Sequence, residues 1–264
     1  MEHTAARLTI LGSGSSGNCA YVETPQARFL VDAGFSGREI ERRLGLIGRT
    51  LNDVEAILLT HEHSDHVIGL PALANKLNIP VYANRLTSEH LKNKMPKFDQ
   101  WHLFRTGETF DIKNIHVRTF AIPHDAYDPV GYAFEVGGET IGFVTDLGYA
   151  TNVVMDQVSD CSVLVLEANH DVEMLRRDTK RPWAVKQRIL ARHGHLSNEA
   201  SAKVASFAAT KRLKHLYLSH LSSDCNTLEM ARAAVNAEWN KIGINHVSLY
   251  DTWQDKPTET LALS

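Results

Sequence analysis

The clearest signal in this sequence is the stretch Ala56-Ile57-Leu58-Leu59-Thr60-His61-Glu62-His63-Ser64-Asp65-His66. Its first half, Ala56–Thr60, is a short apolar run typical of a buried strand. Its second half holds four side chains that can ligate a metal: His61, His63, Asp65 and His66. Because imidazole and carboxylate groups bind divalent transition metals, this loop predicts a site for one or two such ions. The other interpretation is a solvated loop that happens to be rich in histidine.

The composition indicates an ordinary globular chain with one unusual feature. Its 264 residues are 43% hydrophobic and 22% charged, which is enough apolar material for one large core. The formal net charge of -3 gives no overall attraction to a polyanion, so any contact with nucleic acid must be local. The unusual feature is the 14 histidines, since imidazole is the commonest metal ligand.

The cysteines and the first residues predict a cytoplasmic protein. Cys19, Cys161 and Cys225 are far apart and form no C-x-x-C pair, which argues against disulfides and a thiolate zinc site. The first apolar run, Leu8–Leu11, is too short for a signal sequence or a membrane span. We therefore expect a reducing compartment and no contact with a membrane.

Short β-like runs alternate with helical patterns along the whole chain. The predicted strands are Leu8–Leu11, Cys19–Glu23, Arg28–Asp32, Ala56–Thr60, Val81–Ala83, Ile115–Ile122, Gly131–Val136, Thr140–Thr145, Val163–Glu167, Leu216–Ser219 and Val247–Tyr250. The predicted helices are Ile40–Leu44, Leu70–Leu77, Leu86–Lys92, Trp183–Leu190, Ala200–Ala209 and Leu228–Trp239. Gly137-Gly138 predicts a hairpin turn. This order favours an α/β fold, an αββα sandwich in a single domain over residues 1–264.

Four further polar residues follow strand-like runs: Asp32, His124, Asp146 and His220. Each alone is ambiguous, because a histidine at a strand end is often only hydrogen-bonded. Together they lie in order at positions where strand ends converge on a site. Carboxylates and neutral imidazoles in this combination suit Zn²⁺ or Mn²⁺.

The H-x-H-x-D-H pattern and these four residues resemble the motifs of the metallo-β-lactamase superfamily. The resemblance implies a first ion held by His61, His63 and His124, and a second held by Asp65, His66 and His220. It also implies that Asp146 bridges the two ions and that Asp32 braces the ligand loop. A hydroxide between two such ions is a nucleophile at neutral pH, so hydrolysis with two divalent ions, Zn(II) or Mn(II), is the implied chemistry, with Asp65 among the catalytic residues.

Glu167 and His195 resemble the glutamate and histidine of ribonuclease Z, in which the histidine protonates the leaving group. Such an acid suits the alkoxide leaving group of a phosphodiester. Taken alone, Glu167 could instead pair with an arginine, and His195 could flank the helix that Ser197 caps. No long basic arm is inserted, which argues against tRNA processing. We interpret His170 as a residue that orients a carboxylate or a ligand.

The glycine-rich segment Gly12–Asn18 lies between the first two predicted strands and has two possible roles. Four of its side chains could bind substrate phosphate: Ser13, Ser15, Ser16 and Asn18. It could equally be a tight turn. The choice stays open at this point.

Taken together, the Gly12–Asn18 segment and the motifs around Asp32, His61, Glu167 and His195 resemble the YycJ/WalJ branch of the same superfamily. This resemblance implies a double-strand-specific DNA 5′→3′ exonuclease with DNA as its partner. Two alternatives use the same residues differently. One is a small-molecule or cyclic phosphodiesterase, or a hydrolase of esters, lactones or thioesters. The other is a non-catalytic scaffold that keeps metal for stability.

Three clusters of basic residues could contact a DNA backbone, although such clusters are often only solvated faces. The first is Arg38, Arg42, Arg43 and Arg49; the second is Lys92, Lys94 and Lys97; the third is Arg176, Arg177, Lys180, Arg181, Lys186, Arg188 and Arg192. The third cluster lies between Glu167 and His195, so we expect it to border the site. The four tryptophans, Trp183 among them, are interpreted as packing residues.

Overall fold

Two seven-stranded sheets lie face to face in the computed structural model, which describes residues 6–263. The strands are β1 (Arg7–Gly12), β2 (Cys19–Glu23), β3 (Arg28–Val31), β4 (Ala56–Leu58), β5 (Val81–Asn84), β6 (Trp101–Phe104), β7 (Thr109–Ile112), β8 (Ile115–Ala121), β9 (Val130–Val136), β10 (Glu139–Val144), β11 (Val163–Glu167), β12 (His215–Ser219), β13 (Ser248–Asp251) and β14 (Leu261–Ala262). The helices are α1 (Gly37–Leu46), α2 (Ser64–Val67), α3 (Leu70–Leu77), α4 (Arg85–Lys92), α5 (Asn152–Ser159), α6 (Val172–Arg177), α7 (Trp183–Leu190), α8 (Asn198–Ala209) and α9 (Leu228–Ile242), with a 3₁₀ turn at Leu51–Asp53.

Both sheets change from antiparallel to parallel pairing at a central strand. The first sheet has the order β14-β1-β2-β3-β4-β5-β6 and becomes parallel after β3. The second has the order β13-β12-β11-β10-β9-β8-β7 and becomes parallel beyond β10. Asp32 directly follows β3, and Asp146 lies two residues beyond β10. The carboxyl ends of the parallel strands, where ligands bind in such sheets, therefore carry the predicted site residues.

Apolar side chains fill three layers. The layer between the sheets includes Phe29, Phe134 and Tyr217, all buried. Helices α1 and α3 cover the outer face of the first sheet, and α5, α8 and α9 cover that of the second. This arrangement removes both faces of each sheet from water, which is the main stabilising contribution. The predicted single-domain αββα sandwich is thereby confirmed, although Met1–Ala5 and Ser264 of the range 1–264 lie outside the described residues.

The predicted elements agree with the structure to within a few residues, and six short elements were missed. Helices α3 and α7 have the predicted bounds. The hairpin between β9 and β10 forms with φ of 59° and 85° at Gly137 and Gly138. The missed elements are the strands β6, β7 and β14 and the helices α2, α5 and α6. The three strands lie at sheet edges, and α5 contains two adjacent valines, which lower helix propensity.

Some basic and aromatic residues lie where the sequence did not predict them. Arg43 and Lys186 are both buried, so the prediction that they contact DNA is wrong. The Arg43 guanidinium instead donates hydrogen bonds to Leu11 O (2.9 Å) and Gln254 O (3.0 Å). Trp183 is 60% exposed and is not the packing residue we expected.

Among residues 6–263, every helix is too short or too polar to span a membrane.

Candidate metal centre

The first group of candidate ligands follows two strands, one from each sheet. His61 and His63 follow β4, and His124 follows β8. One ligand atom from each lies within 4.8 Å of those of the other two. Nε2 of His124 lies 3.3 Å from Nδ1 of His63, a separation typical of two nitrogens that share one ion.

The second group contains Asp65, His66 and His220, whose ligand atoms also lie within 4.8 Å of one another. Asp65 Oδ2 is 3.4 Å from Nε2 of His66 and 3.4 Å from Nε2 of His220. Asp65 lies in the first turn of α2, whereas His220 directly follows β12 on the second sheet. The two sheets thus contribute ligands to the same group.

Asp146 connects the two groups. Its Oδ2 lies 3.2 Å from Nε2 of His66 in the second group. Its Oδ1 lies 3.4 Å from Nε2 of His220 and 3.6 Å from Nε2 of His124 in the first group. A carboxylate in this position can bind both ions of a pair.

The ligand histidines are oriented by hydrogen bonds on the ring nitrogen that points away from the centre. Asp32 Oδ2 accepts from His66 Nδ1 (2.7 Å), Gly194 O from His124 Nδ1 (3.1 Å) and Glu167 Oε1 from His220 Nδ1 (3.1 Å). Because each acceptor is an oxygen without a proton, these contacts place the proton on Nδ1. Nε2 of all three rings is then free for a metal.

His61 is oriented through Thr60. The Thr60 hydroxyl donates to Asp32 Oδ2 at 2.8 Å, so its oxygen accepts from His61 Nδ1 at 3.0 Å. Nε2 of His61 is buried and makes no hydrogen bond to any described residue, and the buried Oδ2 of Asp146 has only its 3.2 Å ionic contact with Nε2 of His66. Unpaired buried polar atoms are costly, and a divalent ion would satisfy both. The seven residues therefore fit a pair of divalent ions.

The charges of the centre stabilise one another. Burial alone would raise the carboxyl pKa, yet the neighbouring imidazoles His66 and His220 hold the pKa of Asp65 and of Asp146 well below the usual value. Burial lowers the pKa of His220, but Asp146, Asp65 and Glu167 together raise it to about 10. Metal ions would replace the protons that these groups otherwise share.

Backbone strain is concentrated at the same place. Asp32, Asp146 and His220 have φ of 61°, 58° and 56°, in the left-handed region that non-glycine residues rarely adopt. Each such residue costs roughly 1–2 kcal/mol. The left-handed backbone at the end of each strand directs the side chain towards the centre.

The glycine-rich segment forms one wall of the centre. Asn18 N, at the end of this segment, donates to Asp65 O at 2.8 Å. Gly34 packs against both atoms, and a side chain at position 34 would overlap them. Ser13 Oγ accepts from His220 N at 2.8 Å and donates to Asn18 Oδ1 at 2.9 Å. Asn18 Nδ2 lies 3.3 Å from Nε2 of His66.

The other two residues predicted to bind substrate, Ser15 and Ser16, are exposed at the tip of the same loop. Ser13 and Asn18, in contrast, hold ligand residues through the hydrogen bonds described above. Phosphate binding by this segment stays a prediction.

Glu167 and His195 lie beside the two groups. Glu167 ends β11 and is fully buried, and its Oε1 accepts from His195 Nδ1 at 2.7 Å. The His195 ring lies 5.1 Å from that of His124 and 5.3 Å from that of His220, measured between centroids. Burial lowers the pKa of His195, but the Glu167 and Asp146 carboxylates raise it above its usual value. His195 can therefore hold a proton next to both groups of ligands.

His170 lies three residues beyond Glu167, directly before α6 and its cap residue Asp171. It is buried, and burial lowers its pKa to about 4, so the ring is neutral. Neither ring nitrogen makes a hydrogen bond to a described residue. That His170 orients a ligand stays a prediction.

Three residues that contact the ligands were not predicted. Thr60 joins Asp32 to His61, as described above. Asn169 Nδ2 donates to His220 O at 3.0 Å, and Asp125 Oδ1 lies 3.3 Å from Nε2 of His124. Thr60 and Asp125 directly precede or follow predicted ligands, a signal that could have identified them. Asn169 reaches His220 only through the pairing of β11 with β12.

Comparison with known proteins relates the chain to one superfamily and to two named exodeoxyribonucleases. The model of a family described as "Beta-lactamase superfamily domain" matches residues 27–220. The chain is 40% identical over 257 residues to a Bacillus anthracis protein named exodeoxyribonuclease YycJ, covering 95% of this chain and 97% of that one. It is 38% identical over 266 residues to a Streptococcus pneumoniae protein named exodeoxyribonuclease WalJ, covering 98% of each.

Among solved structures, the metallo-beta-lactamase fold protein YhfI of Bacillus subtilis superposes with a TM-score of 0.74. The alignment covers 98% of this chain and 99% of YhfI at 14% identity. At this identity the similarity shows a shared fold.

Proposed function

Because this chain belongs to the β-lactamase superfamily, we propose that it is a metal-dependent phosphodiesterase, a 5′→3′ exonuclease that digests double-stranded DNA and uses two divalent ions, Zn(II) or Mn(II). The resemblance to the YycJ/WalJ branch is confirmed by the identity to both named exodeoxyribonucleases over nearly the whole chain. The names of those relatives support the DNA substrate.

One observation carries the choice of a phosphodiester over other substrates. Nδ1 of His195 lies 2.7 Å from the buried Glu167, and the centre of its ring lies 5.1 Å from that of His124 and 5.3 Å from that of His220. A proton donor at this place serves a reaction in which a poor leaving group must be protonated. A sugar alkoxide is such a leaving group, whereas a β-lactam or a thioester needs this help less.

His61, His63 and His124 would hold one ion, Asp65, His66 and His220 the other, and Asp146 both. Bound divalent ions would activate water as the nucleophile and neutralise charge on the scissile phosphate. The residues of the chain supply positioning and proton transfer. Asp32 and Thr60 keep the ligand nitrogens aimed at the centre.

His195 delivers the proton that the reaction requires. With Nδ1 directed at Glu167, its Nε2 carries the proton that can move to the leaving oxygen. Glu167 stabilises the protonated ring and is itself held by Leu147 N at 2.8 Å and Leu196 N at 3.1 Å. These two backbone contacts fix the direction in which the proton is delivered.

A cytoplasmic location belongs to the same proposal. Cys19, Cys161 and Cys225 are all free and buried, and free buried thiols are typical of proteins in reducing compartments. Burial raises the pKa of Cys19 and of Cys225, so these thiols are poor nucleophiles.

The first test measures metal content and digestion together. Protein loaded with Zn²⁺ or Mn²⁺ is incubated with duplex and single-stranded DNA labelled at either end, and with RNA. We expect two ions per chain and immediate release of labelled mononucleotide from 5′-labelled duplex. Release of mononucleotide first from the 3′ end would contradict the polarity. Turnover of a lactone or thioester with no cleavage of DNA would overturn the proposal that the protein is a phosphodiesterase.

The second test concerns the proton donor. We expect H195A to slow cleavage of DNA by about 100-fold or more, the usual contribution of a general acid. Cleavage of thymidine 5′-(4-nitrophenyl phosphate) should slow much less, because nitrophenolate leaves readily without a proton. The control is H246A, an exposed histidine just before β13, outside the site. Equal losses of cleavage rate on DNA and on thymidine 5′-(4-nitrophenyl phosphate) would show that His195 is not the general acid.

A further inference from the structure

We propose that the carboxyl end of α7 and the turn after it bind the DNA backbone next to the leaving oxygen. Arg188 and Arg192 are its phosphate contacts, and Asp125 is the residue that positions Arg188. The inference rests on the proposed function, because His195 protonates the leaving oxygen and the nucleotide that carries this oxygen must lie beside it.

The end of α7 is joined directly to the proton donor and to the metal centre. His195 N donates to Ile189 O at 3.0 Å, which folds the turn 191–195 back onto the helix. Gly194 O accepts from Nδ1 of the candidate ligand His124 at 3.1 Å. A nucleotide in contact with His195 therefore meets the side chains of this turn and of the last turn of α7.

Arg188 reaches the edge of the metal centre. Its guanidinium is paired through Nε with Asp125 Oδ2, and the other oxygen of Asp125 lies 3.3 Å from Nε2 of His124. The Arg188 side chain is 65% exposed, so donors of its guanidinium remain available. A carboxylate at the edge of the centre would repel a phosphodiester, but the paired guanidinium neutralises that charge and offers donors to phosphate.

Arg192 lies in the turn after α7, three residues before His195. It is exposed, and its guanidinium carbon lies 4.2 Å from the ring centre of Tyr149, which follows Asp146 by three residues. Within residues 6–263 it has no carboxylate partner closer than 4 Å. Stacking on Tyr149 restricts the side chain while leaving its charge free for an anion.

The burial of α7 is the reverse of that in an ordinary surface helix. Lys186 is buried and donates to Arg176 O at 2.8 Å, whereas the apolar residues Trp183, Val185 and Leu190 are exposed. Large apolar side chains left in water in this way indicate a surface that another molecule covers.

Charge identifies nucleic acid as the molecule that fits this surface. Residues 171–195 contain seven Lys or Arg and three Asp or Glu, in a chain whose net charge is -3. Several of these cations are engaged elsewhere: Lys180 and Arg181 bind Asp224, and Arg176 binds Glu173. Arg188 and Arg192 are the two that lie nearest to His195 in the chain.

The test separates binding from hydrolysis. Affinity for a duplex oligonucleotide is measured by fluorescence anisotropy at several salt concentrations, with EDTA present so that no cleavage occurs. The variants are the double variant R188A/R192A and the single charge reversal R192E, which changes an exposed side chain and should fold normally. The matched control is R212A, an exposed arginine that pairs with Asp160 and binds Gly138 O at the hairpin, away from the strand ends that carry the site.

We expect R188A/R192A to bind the duplex about tenfold or more weakly, and the slope of log affinity against log salt to become shallower by about two. R192E should also weaken binding, and R212A should bind as the wild type does. With metal restored, kcat/KM for duplex DNA should fall about tenfold relative to that for thymidine 5′-(4-nitrophenyl phosphate), whose leaving group carries no nucleotide.

Three results would overturn the inference. One is unchanged duplex affinity and salt slope in both variants. Another is an equal loss in R212A, which would indicate a general charge effect. The third is a change of oligomeric state in R188A/R192A, which would make α7 an interface between copies of the chain. Failure of the proposed function would give a different result. The wild type would then cleave neither duplex DNA nor thymidine 5′-(4-nitrophenyl phosphate), whatever the duplex affinities of the variants.

Discussion

His195 and His220 donate hydrogen bonds to the same carboxylate oxygen. Glu167 Oε1 lies 2.7 Å from Nδ1 of His195 and 3.1 Å from Nδ1 of His220. One buried side chain therefore orients both the proposed proton donor and a proposed ligand of the second ion. A change at Glu167 must affect proton transfer and metal binding together.

The first prediction concerns E167Q. Oε1 accepts from two histidines and Oε2 from the backbone N–H groups of Leu147 and Leu196, so an amide would direct its NH₂ group at two donors. We expect metal affinity to fall about 10- to 100-fold, and kcat on DNA to fall even when metal is saturating. Metal titration and steady-state kinetics measure the two effects. E199Q, at an exposed position on α8, is the control. Normal activity and metal affinity in E167Q would refute the shared role.

The second prediction concerns metal stoichiometry. H61A removes a ligand from the first group only, and D65A removes one from the second. If Asp146 connects two separate sites, each variant should keep about one ion per chain after dialysis while the wild type keeps two. Elemental analysis of the dialysed proteins measures this. H116A, whose ring is exposed and paired with Asp111, should keep the wild-type content. One ion in the wild type would contradict the paired site.

The third prediction concerns Arg43. This residue is only 4% exposed. Its guanidinium donates to Leu11 O and Gln254 O, and the guanidinium carbon lies 3.8 Å from the ring centre of Phe35. R43A should lower the free energy of unfolding by about 3 kcal/mol, since one member of a buried charged network is lost. The melting temperature should fall by roughly 8 °C.

R42A is the matched control for Arg43, because Arg42 binds the same carboxylate, Glu39, from an exposed position. It should melt as the wild type does. An equally small change in R43A would mean that the clamp between Leu11 and Gln254 contributes nothing to stability.

The fourth prediction concerns acid stability. Hydrogen bonds from Arg42 and Arg43 lower the pKa of Glu39 from 4.5 to about 2, against a smaller effect of burial. The stabilisation is therefore complete above pH 4.5 and is lost as the pH falls towards 2. In EDTA, so that loss of metal does not contribute, E39Q should show a shallower decline of melting temperature over this range than the wild type. Parallel curves would exclude Glu39 as a source of the decline.

The fold was largely predictable because its elements carry local patterns. Buried strands such as β11 are runs of about four apolar residues, here followed by Glu167, and α8 has a serine cap that accepts from Ala200 N. The edge strands β6 and β7 were not predicted, since a strand that is exposed on one side need not be uniformly apolar.

By itself the sequence determined which residue types could form a metal centre. The ligands around His61 are close together in the chain, and Asp32, Asp146 and His220 stand directly after strand-like runs. Short-range spacing is sufficient for such a prediction, because the carboxyl ends of parallel strands meet at one edge of a sheet.

Only the tertiary structure decided which atoms face one another. That Glu167 holds two histidines, that Ser13 and Asn18 support ligands, and that Arg188 lies beside His124 through Asp125 all depend on how the two sheets pack. The burial of Arg43 and the exposure of Trp183 depend on the same packing. These contacts join residues far apart in sequence at separations of a few ångströms, and a shift of one residue in strand register would break them.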